Sequence, residues 1–235
     1  MTEATQARPR LFSGERQYEN FARMGDFYPT APLKPSSAPR PWPRGEALEL
    51  PEHFDFEGAQ RSTAALLEAT DTSALLVLQD GALRHESYFL NGSETTRWIS
   101  WSVAKSFTSA LVGIALERGL IRSIEDPISA YVPAMAGSAY DGVAIRDVLQ
   151  MSSGARWVED YTDPESDVNR LGAVMAGLAT LDDFVCGIER EAPPATVCRY
   201  NSGETQALGM LLRAATGRSV ADYMQTELCE PLGFQ

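Results

Sequence analysis

The stretch SVAKSFTSALVGIALERG, residues 102–119, restricts the fold of this chain more than any other. Val103, Phe107, Leu111, Ile114 and Ala115 recur at helical spacing, and Gly119 stands where a C-terminal cap belongs. The spacing predicts one long helix beginning near Ser102. It is apolar over much of its circumference, so it has to be buried. Lysine is seldom buried without a partner, and Lys105, set among Val103, Ala104, Phe107 and Ala110, therefore needs a reason to be there.

Upstream, SALLVLQD and ALRHESYFL flank Asp80-Gly81, a dipeptide suited to a tight hairpin turn, which predicts two antiparallel strands over about residues 73–90. TAALLEA, residues 63–69, reads as helix. Past Asp126-Pro127 the signals are short helices: IRDVLQM, LGAVMAGLA and LDDFVCGIE, with a glycine- and acid-rich segment from Gly154 to Asp167 between the first two. NSGETQALGMLLRAATG predicts a second amphipathic helix, with Asn201 or Ser202 as its N-cap and Gly217 as its end. No further strand pattern is present. In residues 1–50, prolines recur from Pro29 to Pro43 (Pro32, Pro35, Pro39, Pro41), which forbids helix and favours extended backbone. The organisation expected is an extended arm over 1–50 and a domain over 51–235 with a mostly helical region at 120–235. The class is α/β (α+β), an antiparallel sheet flanked by helices, although two strands alone make a marginal sheet.

Composition narrows the partners. Lys plus Arg is 20 and Asp plus Glu is 32, a net charge of −12, which repels phosphate backbones and anionic membrane surfaces. Neither nucleic acid nor a membrane is expected as a partner. MTEATQARPR has no apolar core of signal-peptide length, and no stretch reaches the roughly 18 apolar residues of a membrane span. Cys186, Cys198 and Cys229 are odd in number, widely spaced and distant from any histidine cluster, so they read as reduced thiols rather than as a disulfide framework or zinc site. A cytoplasmic protein without metal or cofactor is expected, with homodimerisation left open. The only histidines are His53 and His85, neither beside an obvious nucleophile, which points to another kind of base.

Ser102-Val103-Ala104-Lys105 supplies one. A serine at the first turn of a helix and a lysine three residues on share a face, so hydroxyl and amine can meet. Serine is a weak nucleophile until a base takes its proton, and the helix N-terminus favours negative charge developing on the serine and on a substrate carbonyl oxygen. Alone, S-x-x-K is also satisfied by a capped helix with a surface lysine. Tyr200-Asn201-Ser202, at a loop-to-helix junction about a hundred residues later, could bring a phenol to share a proton with Lys105, yet a tyrosine before a helix is usually a packing residue.

Taken in order, WSVAKSFTSALVGIALERGLI, IEDPISAYVP, YDGVAIRDVLQMSSGARW and RYNSGETQALGMLLRAATG resemble the serine β-lactamase-like hydrolases, a family of class C β-lactamases, D-alanyl-D-alanine carboxypeptidases, esterases and 6-aminohexanoate-dimer hydrolases. WVEDYTDPESDV and the proline-rich leader look closest to the last branch. The resemblance implies a β-lactamase/transpeptidase-like fold with Ser102 as acyl-enzyme nucleophile, Lys105 as its base partner and Tyr200 as the phenol of the second motif. It implies a small-molecule amide or ester substrate, with Tyr161 and neighbouring acids on a loop bordering the cleft. Trp101, Trp157 and Tyr161 are candidates for the walls of an apolar groove, against the alternative of core packing. Class C enzymes carry asparagine two places after the tyrosine. Here that place is Ser202, which cannot offer an amide's paired donor and acceptor, so an esterase or linear-amide hydrolase is expected over a β-lactamase. The family's later strands, its third motif and a second oxyanion donor are not in these residues, so the chain reads as truncated. A non-catalytic binding module is the rival reading.

Overall fold

The computed structural model of the chain describes residues 16–174 and 180–235, which leaves the start of the expected arm and the end of LGAVMAGLA outside the described residues. The chain divides into two compact units, the first from residues up to Thr30 together with Arg40–Ile99, the second from Ala31–Pro39 together with Ser100–Gln235.

The first unit holds two short helices, α1 (Gln17–Phe21) and α2 (Met24–Phe27). Extended backbone was expected here, but the run of closely spaced prolines begins only at Pro29, and nothing in residues 16–28 forbids a helical turn. A hairpin absent from the sequence reading follows: β1 (His53–Phe56) pairs antiparallel with β2 (Ala59–Ser62), Phe56 opposite Ala59. Its two-residue turn, Glu57-Gly58, has φ of 51° and 75°, the left-handed pair that a tight hairpin requires. Ser62 then caps α3 (Thr63–Ala69), accepting from the Ala65 N–H.

The predicted hairpin is formed by β3 (Ala74–Gln79) and β4 (Ala82–Tyr88), joined through Asp80-Gly81 at φ 52° and 74°. A register shift lies between Val77 and Leu78. The chain just before residue 50 is not a free arm: Leu83 N–H donates to Pro43 O (2.8 Å), Gly45 N–H to Leu83 O (3.1 Å) and Leu48 N–H to Arg84 O (2.7 Å). This segment covers the open edge of β4. Both ring nitrogens of His85 are engaged locally, Nδ1 3.0 Å from Leu48 O and Nε2 2.8 Å from Ser87 Oγ, a structural histidine.

The second unit is helical. The predicted long helix is α4 (Val103–Glu117), followed by 3₁₀ turns at Ile128–Ala130 and Pro133–Met135 and by α5 (Ile145–Leu149), α6 (Asp167–Ala173) and α7 (Leu181–Cys186). The second long helix is α8 (Ser202–Thr216), after which come α9 (Val220–Met224), a π-helical turn at Gln225–Cys229 and α10 (Glu230–Leu232). Leu111, Val112 and Ala115 of α4 join Ala207, Leu208, Leu211 and Leu212 of α8 in one core with Ile145, Val148 and Val185. Burial of the leucine, isoleucine and valine side chains among these, each contributing about 1.5–3 kcal/mol, dominates the stability of this unit. The proline segment 31–39 lies on the C-terminal helices: Lys34 N–H donates to Gln225 Oε1 (2.7 Å) and Ser36 N–H to Phe234 O (2.8 Å). Its non-proline amides make the bonds that proline nitrogens cannot. Among the described residues no helix is long and apolar enough to cross a membrane.

Candidate active site

Three i→i+3 backbone bonds open α4, from Val103 N–H to Ser100 O, Ala104 N–H to Trp101 O and Lys105 N–H to Ser102 O, each 3.1 Å. Ser102 is the N-cap residue by position, but it has helical φ and ψ and its side chain makes no capping bond. Its hydroxyl is thereby left for chemistry. The turn is reached through Trp101, whose φ of 45° is left-handed, an unfavourable conformation for a bulky residue that is concentrated at functional sites.

Two donors converge on Ser102 Oγ: Lys105 Nζ at 3.0 Å and the Tyr200 hydroxyl at 2.6 Å. Lys105 Nζ also lies 4.9 Å from the centroid of the Tyr200 ring. Serine and lysine meet because they are three apart on one helix, as the spacing predicts. Tyr200 meets them because α8 packs on α4 and Tyr200 immediately precedes the α8 N-cap. Burial pushes the Tyr200 phenol up, but hydrogen bonding to Lys105 and Ser102 and the Lys105 charge together hold it below the usual tyrosine range. With Tyr200 45% exposed, the cluster is open to solvent.

The next residues have divided duties. Asn201 is buried and caps α8, its Oδ1 accepting from Gly203 N–H (2.8 Å) and Glu204 N–H (3.3 Å). Its carbonyl is thus committed to the helix. Ser202, in the place where the class C pattern has asparagine, donates through Oγ to Glu159 Oε1 at 2.8 Å.

Glu159 was not singled out by the sequence reading beyond the remark that acids neighbour Tyr161. It gathers all three candidate substrate-binding residues: besides Ser202, the Tyr161 hydroxyl donates to Oε1 (2.7 Å) and the Trp157 indole N–H to Oε2. Ser202 N–H approaches Oε2 at 3.4 Å. The Glu159 charge also acts on Tyr200, opposing the effect of Lys105. Tyr161 is 43% exposed, and burial, then its bond to Glu159, pushes its phenol up. Trp157 is not a groove wall. It is only 2% exposed, packs edge-on to Phe184, and lies so close to Gly203 that a Cβ there would be 2.9 Å from the indole. The alternative of core packing is the one realised, since a buried indole needs an acceptor and Glu159 supplies it.

The loop carrying Glu159 and Tyr161 is held by its own polar residues. Buried Asp167 accepts from Val158 N–H (2.9 Å) and pairs with Arg156 (3.3 Å) and Arg170 (3.5 Å). Asn169 Nδ2 donates to Asp163 O (2.8 Å) and Tyr161 O (3.2 Å).

Four residues after Tyr200, in the first turn of α8, comes Glu204, a second acid that the sequence reading missed. It is 2% exposed, and its Oε1 accepts from Ser153 Oγ (2.5 Å) and Ser153 N–H (3.3 Å), tying α8 to the 151–155 loop. Burial pushes its carboxyl up to about 7, helped by the Asp147 charge and opposed by the Ser153 bonds. Its Oε2 is buried and has no hydrogen-bond partner among the described residues. The one signal for it in the sequence is a glutamate three places after an N-cap, normally a capping-box residue. Here it turns to Ser153 instead.

Among the described residues no group of three or more His, Cys, Asp or Glu is arranged to hold a metal ion.

The pattern of the family described as Beta-lactamase matches residues 60–235. The chain is 36% identical over 241 residues to the 6-aminohexanoate-dimer hydrolase of Paenarthrobacter ureafaciens, an alignment covering 96% of this chain and 58% of that protein. A β-lactamase of Pseudomonas fluorescens is 29% identical over 98 residues, covering 38% of this chain and 27% of the relative. Among solved structures, a provisional 6-aminohexanoate-dimer hydrolase from Bacillus anthracis superposes with a TM-score of 0.84 at 20% identity, over 99% of this chain and 64% of that one. A provisional β-lactamase from Bacteroides dorei gives 0.55 at 20% identity, over 72% and 50%. The chain thus spans about three-fifths of the length of its 6-aminohexanoate-dimer hydrolase relatives (58% and 64%), and the few short antiparallel strands and the helices seen here are part of the β-lactamase/transpeptidase-like fold. With its match over residues 60–235, the chain belongs to the β-lactamase family.

Proposed function

We propose that this chain carries the acylating centre of a serine hydrolase that opens an amide or ester bond through a Ser102 acyl-enzyme. The observation that carries the reading is the convergence of Lys105 Nζ and the Tyr200 hydroxyl on Ser102 Oγ at 3.0 and 2.6 Å. In the step this geometry supports, Ser102 Oγ attacks the substrate carbonyl carbon and its proton passes to the Tyr200–Lys105 pair. A Tyr200 held below its usual range, with the lysine beside it, is suited to accept that proton. The same pair then delivers it to the departing nitrogen or oxygen as the C–N or C–O bond breaks. Water releases the acid from Ser102 by the reverse relay.

For substrate we favour short linear amides of ω-amino acids, or small carboxylic esters, over β-lactams. The 36% identity to a 6-aminohexanoate-dimer hydrolase supports this, as do Ser202 in the place of an amide side chain and an Asn201 whose carbonyl is committed to capping α8. The net charge of −12 favours substrates bearing an ammonium group. The three free cysteines suit a reducing cytoplasm.

A fluorophosphonate probe followed by peptide mapping tests the reading. Ser102 is expected to be marked, and Ser102→Ala to abolish the label. Labelling that survives Ser102→Ala refutes the assignment, and an unlabelled parent chain favours a non-catalytic binding module.

A further inference from the structure

The first unit carries a groove of about 450 Å³ between the β1–β2 hairpin and α3, lined by Phe54, Phe56, Arg61, Ser62, Ala65 and Leu66. Its origin is local. Alternate residues of an antiparallel pair share a face, and Phe54 lies opposite Arg61 and Phe56 opposite Ala59, so both rings and the Arg61 side chain stand on one face while Asp55 and Gln60 stand on the other. The helix α3 begins directly after Ser62 and brings Ala65 and Leu66 to the same groove. Phe56 is 56% exposed and Leu66 47%, so folding leaves two large apolar side chains of one groove in water. Clustered apolar exposure of this kind marks a binding surface more than scattered exposure does.

The side-chain polar groups of the groove have hydrogens to give. Arg61 is exposed and forms no ion pair among the described residues, in a chain where acids outnumber Lys and Arg by 32 to 20. Ser62 Oγ accepts from Ala65 N–H at 3.3 Å, which leaves its own O–H to donate. None of the six lining residues is acidic. An apolar bed beside a guanidinium fork and a hydroxyl donor complements a ligand with an apolar tail and a planar anionic head, because guanidinium and carboxylate pair through two parallel N–H···O bonds. Both ends of such a ligand are needed. An anion without a tail would gain only a solvent-exposed ion pair, which is worth little, and a tail without the charge would leave Arg61 unused.

We infer that this groove binds small amphipathic carboxylates, with the tail on Phe54, Phe56, Ala65 and Leu66 and the carboxylate on Arg61. Ser102, Lys105 and Tyr200 are not among its lining residues, so the inference stands apart from the hydrolase reading.

The experiment titrates the full chain with sodium octanoate and with 1-octanol, the same tail with and without the charge, and reads binding by saturation-transfer NMR. Octanoate is expected to bind about tenfold more tightly than 1-octanol, the scale of one charge-assisted hydrogen bond, although a net charge of −12 repels anions in general. Arg61→Gln is expected to bring the two ligands within twofold of each other. Leu66→Glu, which sets an acid on the apolar bed, is expected to weaken octanoate about tenfold, the same scale. Both positions are exposed, so neither substitution removes a core side chain. Equal binding of the two ligands by the parent chain, or an octanoate affinity that either variant leaves within twofold, overturns the proposal. Neither result bears on whether fluorophosphonate marks Ser102, so the two readings fail separately.

Discussion

Replacing Glu204 by glutamine is expected to make the protein more stable at alkaline pH and to leave it nearly unchanged at acid pH. Glu204 is 2% exposed, and burial lifts its carboxyl from an ordinary 4.5 to about 7. Between those two values the folded protein keeps a proton that the unfolded chain has released, so stability falls as pH rises. The contribution is fully present below about pH 4.5 and is lost above about pH 7. At about 1.4 kcal/mol per pH unit, the rise from 4.5 to about 7 amounts to about 3 kcal/mol. Glutamine fills the same space and keeps an oxygen for Ser153 Oγ and N–H, but it cannot ionise. The assay is urea unfolding of the parent and Glu204→Gln at pH 5 and pH 8.5, read as the difference between the two pH-dependent changes so that all other titrating groups cancel. The expected double difference is about 3 kcal/mol in favour of the glutamine at the higher pH. A value under about 0.5 kcal/mol, or one of opposite sign, would mean that the carboxylate ionises in place without cost, and that burial is not what governs it.

Three further outcomes are expected. Lys105→Met removes the charge and the hydrogen bond that hold Tyr200 down, so Ser102 acylation by fluorophosphonate should fall by about 10² or more, and a near-normal rate would make the lysine structural. Because Tyr200 is held below the usual tyrosine range, acylation should rise with pH and level off below the pH at which a free phenol titrates, and Tyr200→Phe should remove that inflection from the rate profile. Gly154→Ala should cost about 3 kcal/mol in thermal or urea unfolding, since φ is +80° there and a Cβ would lie 2.0 Å from Ala192 O; an unchanged melting temperature would contradict the close approach.

Where a decision was local, it was legible in the residues. Asp80-Gly81 gives the hairpin turn because both residues tolerate positive φ, and Asn201 with Gly217 bounds α8 because a side-chain acceptor opens a helix and a residue free of Cβ closes it. Ser102 meets Lys105 for the same reason, their three-residue spacing being a property of the helix alone. The β1–β2 hairpin escaped notice because Glu57-Gly58 sits in a four-residue strand pair with no clean alternation of apolar and polar residues, and its strands are largely exposed.

What the tertiary structure decided were contacts between residues far apart in the chain. Tyr200 reaches Ser102 across 98 positions only because two helices share one apolar core. Glu159 becomes a hub because packing buries Trp157 and brings Ser202 to it across 43 positions. Glu204 holds its proton to near neutrality only because folding removes water from around it. Backbone propensity and side-chain spacing act within a few residues, and a sequence displays them directly. Burial, and the partner a buried polar group is given in place of water, exist only once distant segments have closed over it.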